Sequence, residues 1–590
     1  MADRFAARPS QHKREGLPPM TTRVLLTALC ACAVLWGPAL ASEKEDRSVG
    51  EKVQTIMAEW DRADSPGCAI AVVQRGETVF KRGYGQANLD HGVPITSRTV
   101  FDIGSVSKQF TAAAIALLVQ QGRLSLDDDV RKHIPEMPEY EAPVLVRQLI
   151  HHTSGVRDYL TVMALAGLED HDVYTLDEVV QMIARQRKLN FKPGAEYLYS
   201  NSGYMLLAEI VERVSGRTFA EFVDEQMFGP LGMSDSRVYV DSEAVIPRRS
   251  TGYNLDDERI IVDHYYNFAV PGDGQVYTTV EDLARWDRAF YDGGVGAEGF
   301  ADSLLEQGVL NDGAKINYAF GLSHGNYRGL DVLEHNGAWG GFRADMLRFP
   351  GEQTSVFTLC NYGEIDATRI GRQVADLFLD DRFEEPEQDS EEAGEETALP
   401  PAVELTAQQI DDVSGRYFNP ASGNIRDIAV VDGNLSYVRR GGRTTELRAV
   451  APREFRMVGL SVEVVVRFEP GQGPATRMRV DVAGNDPFMH EAVEPASYSA
   501  ADLARFAGRY FSDELDVAYV LSVEEGQLYL QIPGDRDRLS AGFADYFTGT
   551  DDPSVALEFQ RSGDEVRGFV VNAGRVRGVV FRRADSSRGE

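Results

Sequence analysis

Four cysteines in 590 residues, Cys30, Cys32, Cys68 and Cys360, are too few for a disulfide-stapled scaffold, so the folded cores must rest on apolar burial. Positive charge is also short: 60 Lys and Arg stand against 92 Asp and Glu, a net charge of −32. Such a chain repels nucleic-acid phosphates and anionic lipid headgroups, so no nucleic-acid partner is expected. Long apolar runs are confined to residues 1–41. There Lys13, Arg14 and Arg23 accompany the run from Val24 to Trp36, and Ala39-Leu40-Ala41 closes it with small residues. This is the pattern of a cleavable secretory signal; Pro38 and the shortness of the run argue against a membrane anchor. The mature chain is expected to be exported, periplasmic or secreted, with no stable membrane span and without Cys30 and Cys32.

What remains has the 43% hydrophobic content of packed domains. Its clearest interruption is residues 381–402, where nine carboxylates stand against one arginine and large apolar residues almost vanish, so a solvated linker is predicted. Beyond it the sequence repeats. Gly415-Arg416-Tyr417-Phe418 returns as Gly508-Arg509-Tyr510-Phe511, and Asp432-Gly433-Asn434-Leu435 aligns with Glu525-Gly526-Gln527-Leu528, both at an offset of 93. A shared offset implies a tandem duplication. Short alternating strands between turn signals make each copy, 403–495 and 496–590, a small antiparallel barrel or sandwich.

Residues 42–380 mix helix and strand. Val53, Ile56, Met57 and Trp60 mark an amphipathic helix, and Cys68 to Val73 and Thr78 to Phe80 flank a turn at Gln74-Arg75-Gly76-Glu77. Helices are predicted over Thr111 to Gln121 and, after a Thr278-x-x-Glu281 capping box, over Glu281 to Phe290. Strands return at Phe342 to Phe349 and Ser355 to Cys360. Strands at both ends with helices between predict an α+β domain, an antiparallel sheet flanked by helices.

Three short motifs carry the chemistry. Ser105-Val106-Ser107-Lys108 opens a predicted helix, and its spacing puts Ser105 and Lys108 on one face, within reach of each other. A serine hydroxyl needs such a neighbour to become a nucleophile, and a helix N-terminus favours negative charge there. Tyr199-Ser200-Asn201 and His335-Asn336-Gly337-Ala338 follow in that order. Singly, Tyr199 reads as a core tyrosine, Asn201 as a helix cap and His335 as a half-buried strand histidine. In conjunction, S-x-x-K, Y-x-N and H-x-G resemble the active-site motifs of the serine β-lactamase and penicillin-binding superfamily. From about Val53 to Asn361 the chain resembles the class C β-lactamase-related serine hydrolases, the stretch Leu149 to Val156 included.

The resemblance implies an acyl-enzyme mechanism without metal or cofactor, acting on a small-molecule or short peptide substrate. Ser105 is the implied nucleophile, Lys108 its proton acceptor or electrostatic activator, and Tyr199 a phenol of cation-lowered pKa that shuttles a proton to the leaving group. Which of Lys108 and Tyr199 is the acylation base stays open. Asn201, His335 and Gly337 are implied in substrate binding, and the backbone N–H groups of Ser105 and Ala338 in an oxyanion hole. Where true β-lactamases usually carry lysine in the third motif, this chain has His335, neutral above about pH 6.5. Carboxylate-bearing substrates lose an anchor, so amides or esters are expected substrates and β-lactams poor ones.

The third motif and the two C-terminal modules most resemble bacterial D-aminopeptidases, which makes D-amino-acid release an alternative activity. A non-catalytic sensor or scaffold on the same fold is a second alternative, against which Ser105, Lys108 and Tyr199 all stand. In the superfamily the first and last strands of the catalytic domain are neighbours, so Cys68 and Cys360 are able to bridge; two buried free thiols are the expected state. Gly321-Leu322-Ser323-His324-Gly325 matches an α/β-hydrolase elbow, yet a turn and strand, not a helix, are predicted after it. Neither substrate identity nor oligomeric state is legible.

Overall fold

The computed structural model describes residues 49–169, 172–263, 267–383, 402–439, 442–460, 464–482 and 487–584. The expected signal segment and residues 384–401 of the expected linker lie outside them.

Six strands make an antiparallel sheet: β1 (Cys68–Gln74), β2 (Glu77–Tyr84), β3 (Ser323–Tyr327), β4 (Leu330–Trp339), β5 (Phe342–Phe349) and β6 (Thr354–Cys360), in the order β3-β4-β5-β6-β1-β2. The predicted hairpin turns at Arg75-Gly76, with φ of 51° and 78°, the two positive values of a type I′ turn, which Gly76 adopts without strain. Ser323 lies in β3 and pairs back to β4, so the Gly321–Gly325 motif is a hairpin and not an elbow. The run of apolar residues in β1 is buried along its length because helices cover both faces. Helix α3 (Val280–Asp292) binds one face, where its Asp287 accepts from Ser355 at 2.7 Å; α4 (Ala367–Phe378) binds the other, where its Thr368 donates to Asp345 at 2.8 Å. The cap of α3 is shifted one residue from the expected box: Thr279 accepts from the Asp282 N–H, while Glu281 accepts from Lys81 and Ser97.

Along the chain, between β2 and β3, come α1 (Lys108–Gln120) and α2 (Asn201–Ser215). Helix α1 is buried all round from Lys108 to Leu118, as its run of alanines and aliphatics requires of a central helix. Phe110 packs its ring 4.7 Å from Trp286 of α3, joining the helical layer to the sheet.

Cys68 and Cys360 are not free thiols. Antiparallel pairing of β1 with β6 sets them directly opposite each other, and they form a disulfide.

Each repeat is a closed eight-stranded antiparallel barrel, the first from Gly415–Asn419 to Phe488–Val493 and the second from Gly508–Ser512 to Val576–Arg583. The repeated Gly-x-Tyr has a physical basis. Gly415 and Gly508 have φ of 152° and 154°, and the buried hydroxyls of Tyr417 and Tyr510 donate to Val413 and Phe506, four residues back, at 2.8 and 2.7 Å. The barrels meet through Phe418, Phe543 and Tyr546, and Arg416 donates to the Gly542 carbonyl at 2.7 Å. The fold is thus α+β with two C-terminal β-barrels.

Candidate active site

Ser105 lies in a 3-10 turn, Gly104–Ser107, that runs straight into α1. Strand β3 ends opposite Glu334, so residues 335–339 of β4 have no strand pairing on that edge, and the Ser105 turn packs there instead. Glycine makes the approach possible: a Cβ on Gly337 would stand 2.0 Å from the Ile103 oxygen and 3.1 Å from the Ser105 nitrogen. Gly104, with φ of 48°, lies against the Ala338 backbone in the same way.

The Lys108 ammonium is fully buried and donates to Ser105 Oγ at 3.0 Å, Asn201 Oδ1 at 2.9 Å and the Asp273 carbonyl at 2.7 Å. Burial lowers its pKa from 10.5 to about 8, against the opposing pull of Asp273 and Asp158. Two of its partners are pure acceptors and hold two N–H groups. A neutral Lys108 therefore has its lone pair free for the Ser105 hydroxyl.

Asn201 is the first residue of α2 but does not cap it. Its side chain goes to Lys108, and its N–H is taken by Asp158 Oδ2 at 2.7 Å. Tyr199 precedes it with its ring 4.9 Å from Lys108 Nζ, and its hydroxyl is hydrogen-bonded to Ser105. The lowered phenol pKa expected of neighbouring cations is not found: desolvation raises it, and Ser105 and Arg575 offset this only in part.

His335 is buried, and desolvation pushes it down to about 4, so it is neutral at physiological pH as expected. Both ring nitrogens are engaged: Nδ1 donates to the Asn336 carbonyl at 2.7 Å and Nε2 accepts from Tyr318 at 3.0 Å. His152, from the Leu149 to Val156 stretch, packs its ring against that of Tyr199, centroids 4.2 Å apart and tilted by 34°, while its Nδ1 accepts from the Ser200 N–H at 3.1 Å. Its Nε2 is buried without a hydrogen-bond partner.

Three charged residues were missed in the sequence. Asp158 and Asp273 carry no motif, and Arg575 lies at the turn of a hairpin in the second barrel, between Glu565–Ala573 and Val576–Arg583. Arg575 donates to Asp158 at 3.1 Å and covers the Tyr199 ring at 5.3 Å. The hairpin is clamped to the catalytic domain: Asn190 donates to the Arg575 carbonyl and accepts from the Arg577 N–H, both at 2.8 Å. Behind it, buried Arg157 pairs with Glu514 at 2.9 Å. Ser105, Tyr199, Asn201, Asp273, His335, Ala338 and Arg575 all line one cavity of about 380 Å³.

A serine within hydrogen-bond reach of a buried lysine and a phenol, beside an open strand edge, defines a serine hydrolase of the penicillin-recognising kind. Residues 51–377 match the family model described as Beta-lactamase, and the chain belongs to that family. It is 31% identical to a penicillin-binding protein of Bacillus subtilis, over 50% of this chain and 68% of that protein. It is 26% identical to a D-aminopeptidase of Brucella melitensis, over 88% of this chain and 96% of that protein. The octameric penicillin-binding protein homologue of Pyrococcus abyssi shares the fold, with a TM-score of 0.51 and 23% identity over 76% of this chain and all of that one.

Proposed function

We propose that the chain is an exported acyl-enzyme amidohydrolase that releases N-terminal D-amino acids from short peptides and amides. The observation that carries the chemistry is Lys108, held by burial at a lowered pKa against Ser105 Oγ. In this reading neutral Lys108 takes the hydroxyl proton as Ser105 Oγ attacks the amide carbon. The Ser105 and Ala338 N–H groups hold the resulting oxyanion, each worth roughly 2.7–4 kcal/mol. Tyr199, whose phenol stays protonated, donates to the leaving nitrogen and regains its proton from Lys108. Water then hydrolyses the ester by the reverse route.

The D-aminopeptidase specificity is supported by the likeness to the Brucella protein, which covers 88% of this chain and so extends beyond the catalytic domain. It is supported also by charge. Neutral His335 gives a substrate carboxylate no anchor, whereas the buried Asp273 carboxylate, which accepts from the Tyr159 hydroxyl at 3.3 Å, suits a substrate ammonium. Arg575 favours a second reading, recognition of a C-terminal carboxylate, although Asp158 already engages it. The disulfide fits export into an oxidising compartment.

Turnover of D- and L-alanine p-nitroanilide, p-nitrophenyl acetate, a blocked D-Ala-D-Ala peptide and nitrocefin tests this. The D-anilide should be preferred; the blocked peptide as best substrate would establish the carboxylate reading instead.

A further inference from the structure

We propose that an apolar cavity between the helix Tyr159–Ala166 and the second barrel is a substrate subsite, which receives the hydrophobic part of the leaving group. The proposal builds on the amide-cleaving reading above.

The cavity measures about 400 Å³, within the range of small-molecule sites. Leu160 and Ala164 line it from the helix, and Leu530, Ile532 and Val555 from the barrel. The barrel is seated there by Tyr519, whose hydroxyl donates to the Leu165 carbonyl. Leu160 and Arg575 line both this cavity and the one holding Ser105, so the two chambers adjoin across the Arg575–Asp158 ion pair.

The direction follows from Tyr199. Arg575 lies over its ring, and Tyr199 is the phenol assigned to the leaving nitrogen, so the apolar chamber opens on the leaving-group side. The leucine, isoleucine, valine and alanine side chains on its walls offer an alkyl or aromatic group an apolar surface. Asp535 and Asp552, also in the lining, disfavour a carboxylate terminus. The fitting substrate is therefore a D-aminoacyl amide whose amine portion carries a neutral apolar chain or side chain.

The test is a series of D-alanine n-alkylamides from ethyl to octyl. Turnover is measured with the full-length protein, and binding by calorimetry with the Ser105→Ala variant. Both kcat/KM and affinity should climb with length, by up to about fourfold per methylene. Ala164 is exposed on its helix, so Ala164→Phe fills the chamber without disturbing the core. It should leave the ethylamide unchanged and cut the octylamide advantage by about tenfold or more. Length-independent binding and turnover, or a length dependence untouched by Ala164→Phe, overturns the subsite. Cleavage of the ethylamide without length dependence would leave the amidase reading standing and the subsite refuted. Length-dependent binding to Ser105→Ala, lost on adding Ala164→Phe, with no amide cleaved by the unmodified protein, would do the reverse.

Discussion

Lys108 lies where desolvation and charge oppose each other: burial disfavours its ammonium, the carboxylates of Asp273 and Asp158 favour it, and burial wins. A base must be unprotonated to work, so kcat/KM for an amide should rise as pH passes upward through about 8. His335 adds no limb near 6.5, because it is held at about 4 and stays neutral, whereas burial raises the Asp273 carboxyl to about 6, so the hold on a substrate ammonium should weaken as pH falls through that value. Lys108→Arg, permanently charged, should lose about 10²–10⁴-fold in kcat with the circular dichroism spectrum unchanged. Gly337→Ala would press a methyl against the Ile103 carbonyl and shift the Ala338 N–H; a loss of about 10²-fold in kcat is expected, with KM little changed. Ser105, Lys108, Tyr199 and Asn201 were legible through the conjunction of motifs that carries the family resemblance; spacing by itself placed only Lys108 beside Ser105. The direction of the Tyr199 shift was not, since it depends on how far the phenol is removed from water, which no spacing reports.

Among the elements, the hairpin carrying Arg575 and its clamp decide how the site is closed. Glu514 is the partner of Arg157, a guanidinium with no exposed side-chain surface. Glu514→Ala leaves that charge buried and unpaired, and should destabilise the protein by about 3–5 kcal/mol in denaturant unfolding. It should also loosen the hairpin, since Arg157 donates to the Arg577 carbonyl at 3.0 Å. The sheet, the central helix and the duplicated barrels were readable from periodicity and from the Gly-x-Tyr repeat. The capping box was misplaced by one residue because Thr278 and Thr279 are both able to cap, and Thr278 is taken up by strand pairing with Phe101. Arg575 was unreadable because 417 residues separate it from Asp158, and only the docking of a barrel end onto the helix Tyr159–Ala166 brings them together.

Over the whole molecule, the scarcity of cysteine acquires a meaning that counting did not give it. The resemblance already sets the strands of Cys68 and Cys360 side by side and leaves two free thiols as the expected state; the register of β1 on β6 places the pair directly opposite, and they are bridged. Export with signal removal predicts a mature protein that begins at Ser42 and titrates no free thiol under denaturing, non-reducing conditions; N-terminal sequencing and a thiol assay check both. A retained N-terminus would refute cleavage of the signal, and two reactive thiols would place the protein in a reducing compartment.

The central claim is that Ser105 is the acylated nucleophile. Fluorophosphonate labelling of the intact protein, followed by peptide mapping, tests it most directly. The account predicts label on the peptide that contains Ser105 and none on Ser105→Ala; a Ser105→Ala variant that still labels, or label mapped to Ser323, would contradict it.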